Sequence, residues 1–273
     1  MRVVNSVGYP DQNLSHFRST DIWSSGSDAD VVDSSGWLGR YLTDLYPTYL
    51  TNPPAVPPAI QIGGFGSLTF NDLDRNSLAV SVSDPRQLEE IAENGQLYDL
   101  NNLPECLYGD QLGYLRSVAN STFQYAEVIS DAADAGRNAV EYPRHGLANS
   151  LATVARLIKG NLGTKLYMVT LDGFDTHARQ DTTHPQLMMQ LAGAIQSFYT
   201  DLAAAGWADK VLAMTFSEFG RRVQQNASRG TDHGAAAPLM LFGGEINGST
   251  IQGQRPNLSD LDGAGNLKFD TDF

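Results

Sequence analysis

The stretch Lys165-Leu-Tyr-Met-Val-Thr170, followed at once by Leu171-Asp-Gly-Phe-Asp-Thr-His177, decides the fold. Its first half is apolar and rich in residues that favour a buried strand. Its second half is a polar turn that carries Asp175 and His177. Because open α/β sheets collect their ligands at the ends of buried strands, this stretch predicts a functional site directly after a central strand.

Amphipathic helices surround this predicted strand. Apolar residues at Leu147, Leu151, Val154 and Ile158 form one helical stripe before it. A second helical stripe, over 187–202, leads into another apolar run at 211–216. The helix–strand–helix–strand order predicts an α/β fold with a mainly parallel sheet and helices on both faces.

The first half of the chain contains more irregular sequence. We predict strands at 2–7, 58–62 and 78–82, and helices at 36–45 and 110–135. A further helix is expected to begin at Asp84, with Pro85 at its first position. One domain over 1–273, with an insertion at about 40–140, is the simplest description of this order.

The composition limits the classes of function. The chain has 18 basic and 31 acidic residues, a net charge of −13, which argues against binding the phosphate backbone of nucleic acid. Its one cysteine, Cys106, excludes an intrachain disulfide and is expected to be a buried, inert thiol. No apolar run approaches the roughly 18 residues of a membrane span. No signal peptide is visible at the first residues.

Three short polar blocks beside apolar runs carry oxygen and nitrogen donors. They lie at 171–177, 217–222 and 231–234, and divalent cations bind such mixed donor sets. They predict a site for zinc, calcium, manganese or magnesium, with the metal ligands Asp175, His177, Glu218, Asp232 and His233. The structural alternatives are a capped turn, an ion pair and a neutral capping histidine.

Other polar residues are candidates for catalysis. His16 and Arg18 follow the first strand and could line the same cleft. Arg221 can pair with the carboxylate of its own block or bind an anionic oxygen through two hydrogen bonds. His145 and His184 are each at a predicted helix start, where we expect capping or surface positions. The chain lacks a dinucleotide fingerprint, a phosphate-binding loop of the Gly-x4-Gly-Lys type and a Gly-x-Ser-x-Gly nucleophile turn.

Taken together, the polar blocks resemble the bacterial family called domain of unknown function 1501, which is often seen with twin-arginine export signals. The blocks occur in order along nearly the whole chain: Val7-Gly-Tyr-Pro10, Ser15-His-Phe-Arg-Ser19 with Asp21-Ile-Trp23, Gly173-Phe-Asp-Thr-His177, Phe216-Ser-Glu-Phe-Gly-Arg-Arg222 and Gly230-Thr-Asp-His-Gly234.

That family is similar to the alkaline phosphatase and sulfatase superfamily, whose members use paired divalent metals to cleave phosphate or sulfate esters. The resemblance implies an alkaline phosphatase-like fold and a periplasmic or extracellular location. It also implies that Asp175 and His177 are ligands after a central strand. Glu218 stands where relatives place an Asp, and His233 is a further ligand with Asp232 beside it.

Members of the family usually begin with an earlier strand that ends in a Gly-Gly-Asn-Asp-Gly-like turn, near a metal-binding Asp and the nucleophile. This sequence contains no such strand, and the segment that usually follows Phe273 is also missing. We therefore expect a chain truncated at both ends.

Three hypotheses follow. The leading one is a metal-dependent hydrolase of phosphate or sulfate esters, acting on small-molecule or polysaccharide substrates, or the inactive core of such an enzyme. The second is a non-catalytic binding or surface-associated protein that retains the fold. The third is a fragment that folds poorly on its own.

Overall fold

The computed structural model describes residues 1–49, 51–63, 66–84, 97–100, 102–244, 246 and 250–272. The chain groups into two compact units, one formed by Met1–Asp33 with Leu171–Phe273 and the other by Ser34–Thr170. The single domain with an insertion at about 40–140 stays a prediction. The helix predicted to begin at Asp84 lies, from residue 85 onward, outside the described residues.

The secondary structure alternates helices with short strands. The helices are α1 (His16–Ser25), α2 (Trp37–Leu45), α3 (Leu107–Ala135), α4 (Gly146–Lys159) and α5 (Gln180–Ala204). The strands are β1 (Arg2–Gly8), β2 (Ala59–Ile62), β3 (Ala79–Val82), β4 (Leu166–Val169), β5 (Ala213–Met214), β6 (Gly220–Gln225), β7 (Thr231–Gly234), β8 (Ala237–Phe242), β9 (Thr250–Gln252) and β10 (Thr271–Asp272). These bounds agree with most of the predicted elements, but the strand predicted at 211–216 is reduced to β5.

The first unit contains a mixed sheet. β1 pairs antiparallel with β8, and β8 pairs antiparallel with β5. β9 and β10 both pair parallel with β1. The prediction of a mainly parallel sheet is therefore not confirmed here, and the fold is established only as mixed α/β. The chain between β5 and β8, which the structure describes throughout, forms the β6–β7 hairpin and contains no crossover helix, and β8 returns antiparallel to β5.

Helix α1 packs on the start of the mixed sheet. Ile22 and Trp23 are buried together with Val7 and Tyr9 of the β1 region. The Tyr9 hydroxyl lies 2.6 Å from the hydroxyl of Ser19, one turn into α1. These contacts fix the first turn of α1 beside the end of β1, and that turn carries His16.

The second unit contains a parallel sheet in the order β3-β2-β4. Every residue of the central strand β2 is buried, which is typical of a parallel strand covered on both faces. Helix α4 buries the predicted stripe of Leu147, Leu151 and Val154. Its first turn is capped by His145, whose Nδ1 accepts a hydrogen bond from the backbone of Ala148.

Two further observations concern surface and membrane properties. Cys106 is exposed directly before α3, so the prediction of a buried thiol is wrong. Its backbone is extended, and it is the residue immediately before the first turn of α3. None of the helices among the described residues is both long and apolar enough to span a bilayer.

Candidate metal centre

The loop over 171–178 carries two of the predicted ligands, and its conformation is set locally. Gly173 has a backbone φ of +100°, a value that residues with a side chain rarely adopt, and it turns the chain before Phe174. Thr176 is buried, and its carbonyl accepts a hydrogen bond from the backbone N–H of Thr231. The side chains of Asp175 and His177, on either side of Thr176, are 43% and 45% exposed.

The β6–β7 hairpin supports this loop from the other side. The amide of Asn226 donates to the carbonyl of His177 at 2.9 Å. Gly230 packs so closely that a β-carbon there would lie 2.1 Å from the carbonyl carbon of His177. Arg221 of β6 is paired in register with His233 of β7. Hairpin and loop therefore hold the polar side chains of three sequence blocks at one place.

The imidazoles of His16, His177 and His233 converge on the carboxylate of Asp175. Asp175 Oδ1 lies 3.0 Å from His177 Nε2 and 2.8 Å from His233 Nε2. These two Nε2 atoms are 3.0 Å from each other. Asp175 Oδ2 lies 3.3 Å from His16 Nε2. One donor atom from each of His16, Asp175 and His233 lies within 4.8 Å of the others, which is close enough for these residues to share one cation.

Each of the three imidazoles uses its other nitrogen, Nδ1, in a separate contact with an oxygen. His233 Nδ1 lies 2.7 Å from the carbonyl oxygen of Leu14. His16 Nδ1 lies 3.0 Å from Glu218 Oε1, and His177 Nδ1 lies 3.2 Å from Asp232 Oδ1. A carbonyl or an ionised carboxylate only accepts hydrogen bonds, so each Nδ1 carries the hydrogen. The Nε2 atom of a neutral ring is then a free electron-pair donor.

Arg221 is the cationic partner of Asp175. Its Nη1 donates to Asp175 Oδ1 at 2.8 Å, and its Nε and Nη2 donate to the side chain and carbonyl of Thr231. Partial burial pushes the pKa of Asp175 upward. The contacts of the carboxylate with His233, Arg221 and His16 outweigh this effect and hold that pKa well below its ordinary value. Asp175 is therefore ionised at neutral pH.

The charges around the site leave an excess of negative charge. Among the groups that contact the imidazoles or Asp175 directly, three carboxylates, on Asp175, Glu218 and Asp232, face the guanidinium of Arg221, so with neutral imidazoles the net charge of this cluster is −3 + 1 = −2. A hydrogen bond with Glu218 raises the pKa of His16, although partial burial opposes this shift. A divalent cation would neutralise the cluster.

The aromatic ring of Phe219 packs against two of the imidazole rings and fixes their orientation. Its ring stacks on that of His233, with centroids 3.8 Å apart and an interplanar angle of 23°. It also lies 4.9 Å from the ring of His16. The His233 side chain is only 14% exposed, so this face of the cluster is packed while the His16 and His177 faces are open.

The structure brings together seven of the eight predicted site residues, namely His16, Asp175, His177, Glu218, Arg221, Asp232 and His233. Arg18 is directed elsewhere, because its guanidinium donates to the carbonyls of Ala29 and Val31. The role of each residue as ligand or catalyst stays a prediction.

Sequence reasoning missed the residues that orient the site. The carbonyl of Leu14 contacts His233, and the ring of Phe219 stacks on it. The amide of Asn226 and the absence of a side chain at Gly230 position His177. A usable signal existed for Asn226 and Gly230. Asn followed four residues later by Gly favours the tight hairpin turn in which Asn226 Oδ1 accepts from the N–H groups of Ser228 and Gly230.

Comparison with protein-family models finds one that covers residues 6–264, described as "Protein of unknown function (DUF1501)". Comparisons with curated proteins and with solved structures give no match. The matched range includes every residue of the cluster, from His16 to His233. On this match, which spans most of its length, the chain belongs to the DUF1501 family of proteins of unknown function.

Proposed function

We propose that this protein is a metal-dependent hydrolase of phosphate or sulfate esters. The observation that carries the proposal is the convergence of His16, Asp175 and His233, with His177 in contact with two of them. The choice of reaction is supported by the similarity of the DUF1501 family to the alkaline phosphatase and sulfatase superfamily. We also propose that the family shares the fold of that superfamily.

The residues present fit a divalent cation. Imidazole nitrogens and a carboxylate oxygen are common ligands of zinc and related metals. A bound cation supplies Lewis-acid polarisation of an ester oxygen. The protein's own part is to hold its donors in a fixed array, and Arg221, whose side chain is only 16% exposed, does this for Asp175.

The cluster is also open enough to admit a substrate. The side chains of His16, Asp175 and His177 are each nearly half exposed. Arg221 uses three of its five N–H donors on Asp175 and Thr231, so two remain for an anionic oxygen. Small-molecule or polysaccharide esters are the substrate class that this proposal favours.

Steady-state hydrolysis of an aryl phosphate and an aryl sulfate tests the proposal. Purified protein is stripped with chelator and then assayed with zinc, manganese, magnesium or calcium. We expect metal-restored turnover that Asp175→Ala abolishes and Asp134→Ala retains, since Asp134 forms an exposed ion pair with Arg156. Absence of turnover with every metal and both esters would overturn the hydrolase proposal. Tight metal binding without turnover would instead favour the non-catalytic alternative.

A further inference from the structure

The geometry points to one transition-metal ion bound by the Nε2 atoms of His16, His177 and His233 and the carboxylate of Asp175, with Glu218 and Asp232 acting as orienting partners and not as ligands. This assignment rests on the metal dependence proposed above and names the cofactor class. It differs from the sequence-based ligand set in adding His16 and in removing the two carboxylates.

The spacing of three donor atoms matches a single ion. Asp175 Oδ1, His177 Nε2 and His233 Nε2 form a triangle with sides of 3.0, 3.0 and 2.8 Å. Donor atoms that each lie about 2.1 Å from one zinc ion are at most about 4.2 Å apart, and the sides of this triangle are within that limit. One ion could therefore contact all three atoms, and His16 Nε2 lies 3.3 Å from the other oxygen of the same carboxylate.

The hydrogen-bond pattern separates ligands from orienting groups. Glu218 and Asp232 contact the Nδ1 atoms of His16 and His177, which face away from the converging Nε2 atoms. Metal-binding histidines commonly donate their second nitrogen to a carboxylate or a backbone carbonyl, which fixes the tautomer and the ring orientation. His233 follows the same pattern through the carbonyl of Leu14.

The donor set selects the metal. Three imidazole nitrogens favour zinc, iron, nickel or copper, whereas magnesium and calcium favour carboxylate, carbonyl and water oxygens. We therefore expect zinc to bind strongly and magnesium and calcium not to displace it.

X-ray absorption spectroscopy of zinc-loaded full-length protein tests the assignment. We expect three imidazoles around the metal in the wild-type protein and two in His16→Gln. The control His145→Asn should keep three, because it removes a histidine of the second unit and retains a capping side chain. Glu218→Gln should keep three imidazoles and weaken zinc binding by about 10- to 100-fold, as the loss of an orienting partner does. The wild-type spectrum is informative even if a variant fails to fold.

The outcomes separate this inference from the proposed function. Zinc bound through oxygen atoms with at most one imidazole, or zinc displaced by millimolar magnesium, would overturn the inference and leave metal-dependent hydrolysis standing. An unchanged imidazole count in His16→Gln would also overturn it. Protein that binds none of these metals would overturn both.

Discussion

Replacing Asp175 by Asn should nearly abolish metal binding while leaving the protein folded. The amide has the same shape as the carboxylate but carries no charge, so the net charge of the cluster falls from −2 to −1. It also removes the anion that faces His177, His233 and Arg221 at 2.8 to 3.0 Å. At pH 7 the wild-type side chain carries a full negative charge and the Asn side chain carries none, because the pKa of Asp175 is held below its ordinary value.

The expected size of this effect follows from binding linkage. With free zinc at 100 times the dissociation constant, the wild-type protein gains about 2.7 kcal/mol of stability. For a chain of this size, this gain corresponds to a rise in melting temperature of about 5–10 °C. A loss of affinity of about 100-fold would leave a gain of about 0.4 kcal/mol, or about 1 °C.

Differential scanning fluorimetry with and without zinc measures these shifts, and isothermal titration calorimetry gives the affinities. Asp134→Asn is the matched control, because it removes an exposed carboxylate that pairs with Arg156 at 3.3 Å. Loss of such a pair costs at most about 1 kcal/mol, and the control should keep the full response to zinc. A wild-type-sized shift in Asp175→Asn would refute the reasoning.

Three further predictions concern the support of the site, its protonation and a distant loop. Gly230→Ala should lower both stability and zinc affinity, because its β-carbon would lie 2.1 Å from the carbonyl carbon of His177; unchanged calorimetry and denaturation curves would contradict this. Zinc affinity should fall as the pH drops through the raised pKa of His16, because the proton and the metal compete for the ring. A zinc affinity that is constant between pH 5.5 and 7.5 would contradict this prediction. Asp262→Ala should destabilise the protein by about 1 kcal/mol at pH 7, because Asp262 accepts hydrogen bonds from Ala264 and Asn266. As the pKa of Asp262 is lowered in the folded state, this stabilisation is present above the ordinary carboxyl pKa and is lost as the pH falls; equal urea midpoint differences at pH 7 and pH 3 would contradict it.

The elements of the second unit were predictable because their sequence patterns are local. The stripe of Leu147, Leu151 and Val154 indicates a helix by spacing alone, and α4 buries these residues. The apolar run at 166–169 likewise forms β4 between polar neighbours. Strand direction was not predictable in the same way, since it depends on the connection between strands.

The β6–β7 hairpin shows why the mainly parallel sheet was predicted. The run at 211–216 and the run around Leu239 both look like strands, and helices precede the first of them. The sequence pattern predicts no strand in the polar segment between them, but residues 220–225 and 231–234 pair with each other. β8 therefore follows an antiparallel ribbon and pairs antiparallel with both β1 and β5.

Within the site, residue chemistry was predictable and residue roles were not. Imidazoles and carboxylates beside apolar runs indicated which side chains would meet. The sequence gives no information on which ring nitrogen faces inward, because that depends on a carbonyl at Leu14 and on carboxylates at Glu218 and Asp232. Likewise, the direction of Arg18 is set by the carbonyls of Ala29 and Val31, which no side-chain pattern reveals.

The most direct test of the metal centre is the position of zinc in crystals of the zinc-saturated protein, located by anomalous diffraction at the zinc edge. We predict a peak about 2.1 Å from His177 Nε2, His233 Nε2 and an oxygen of Asp175, with His16 Nε2 as the fourth protein ligand. A zinc-saturated crystal whose anomalous peaks all lie away from Asp175 would contradict the account.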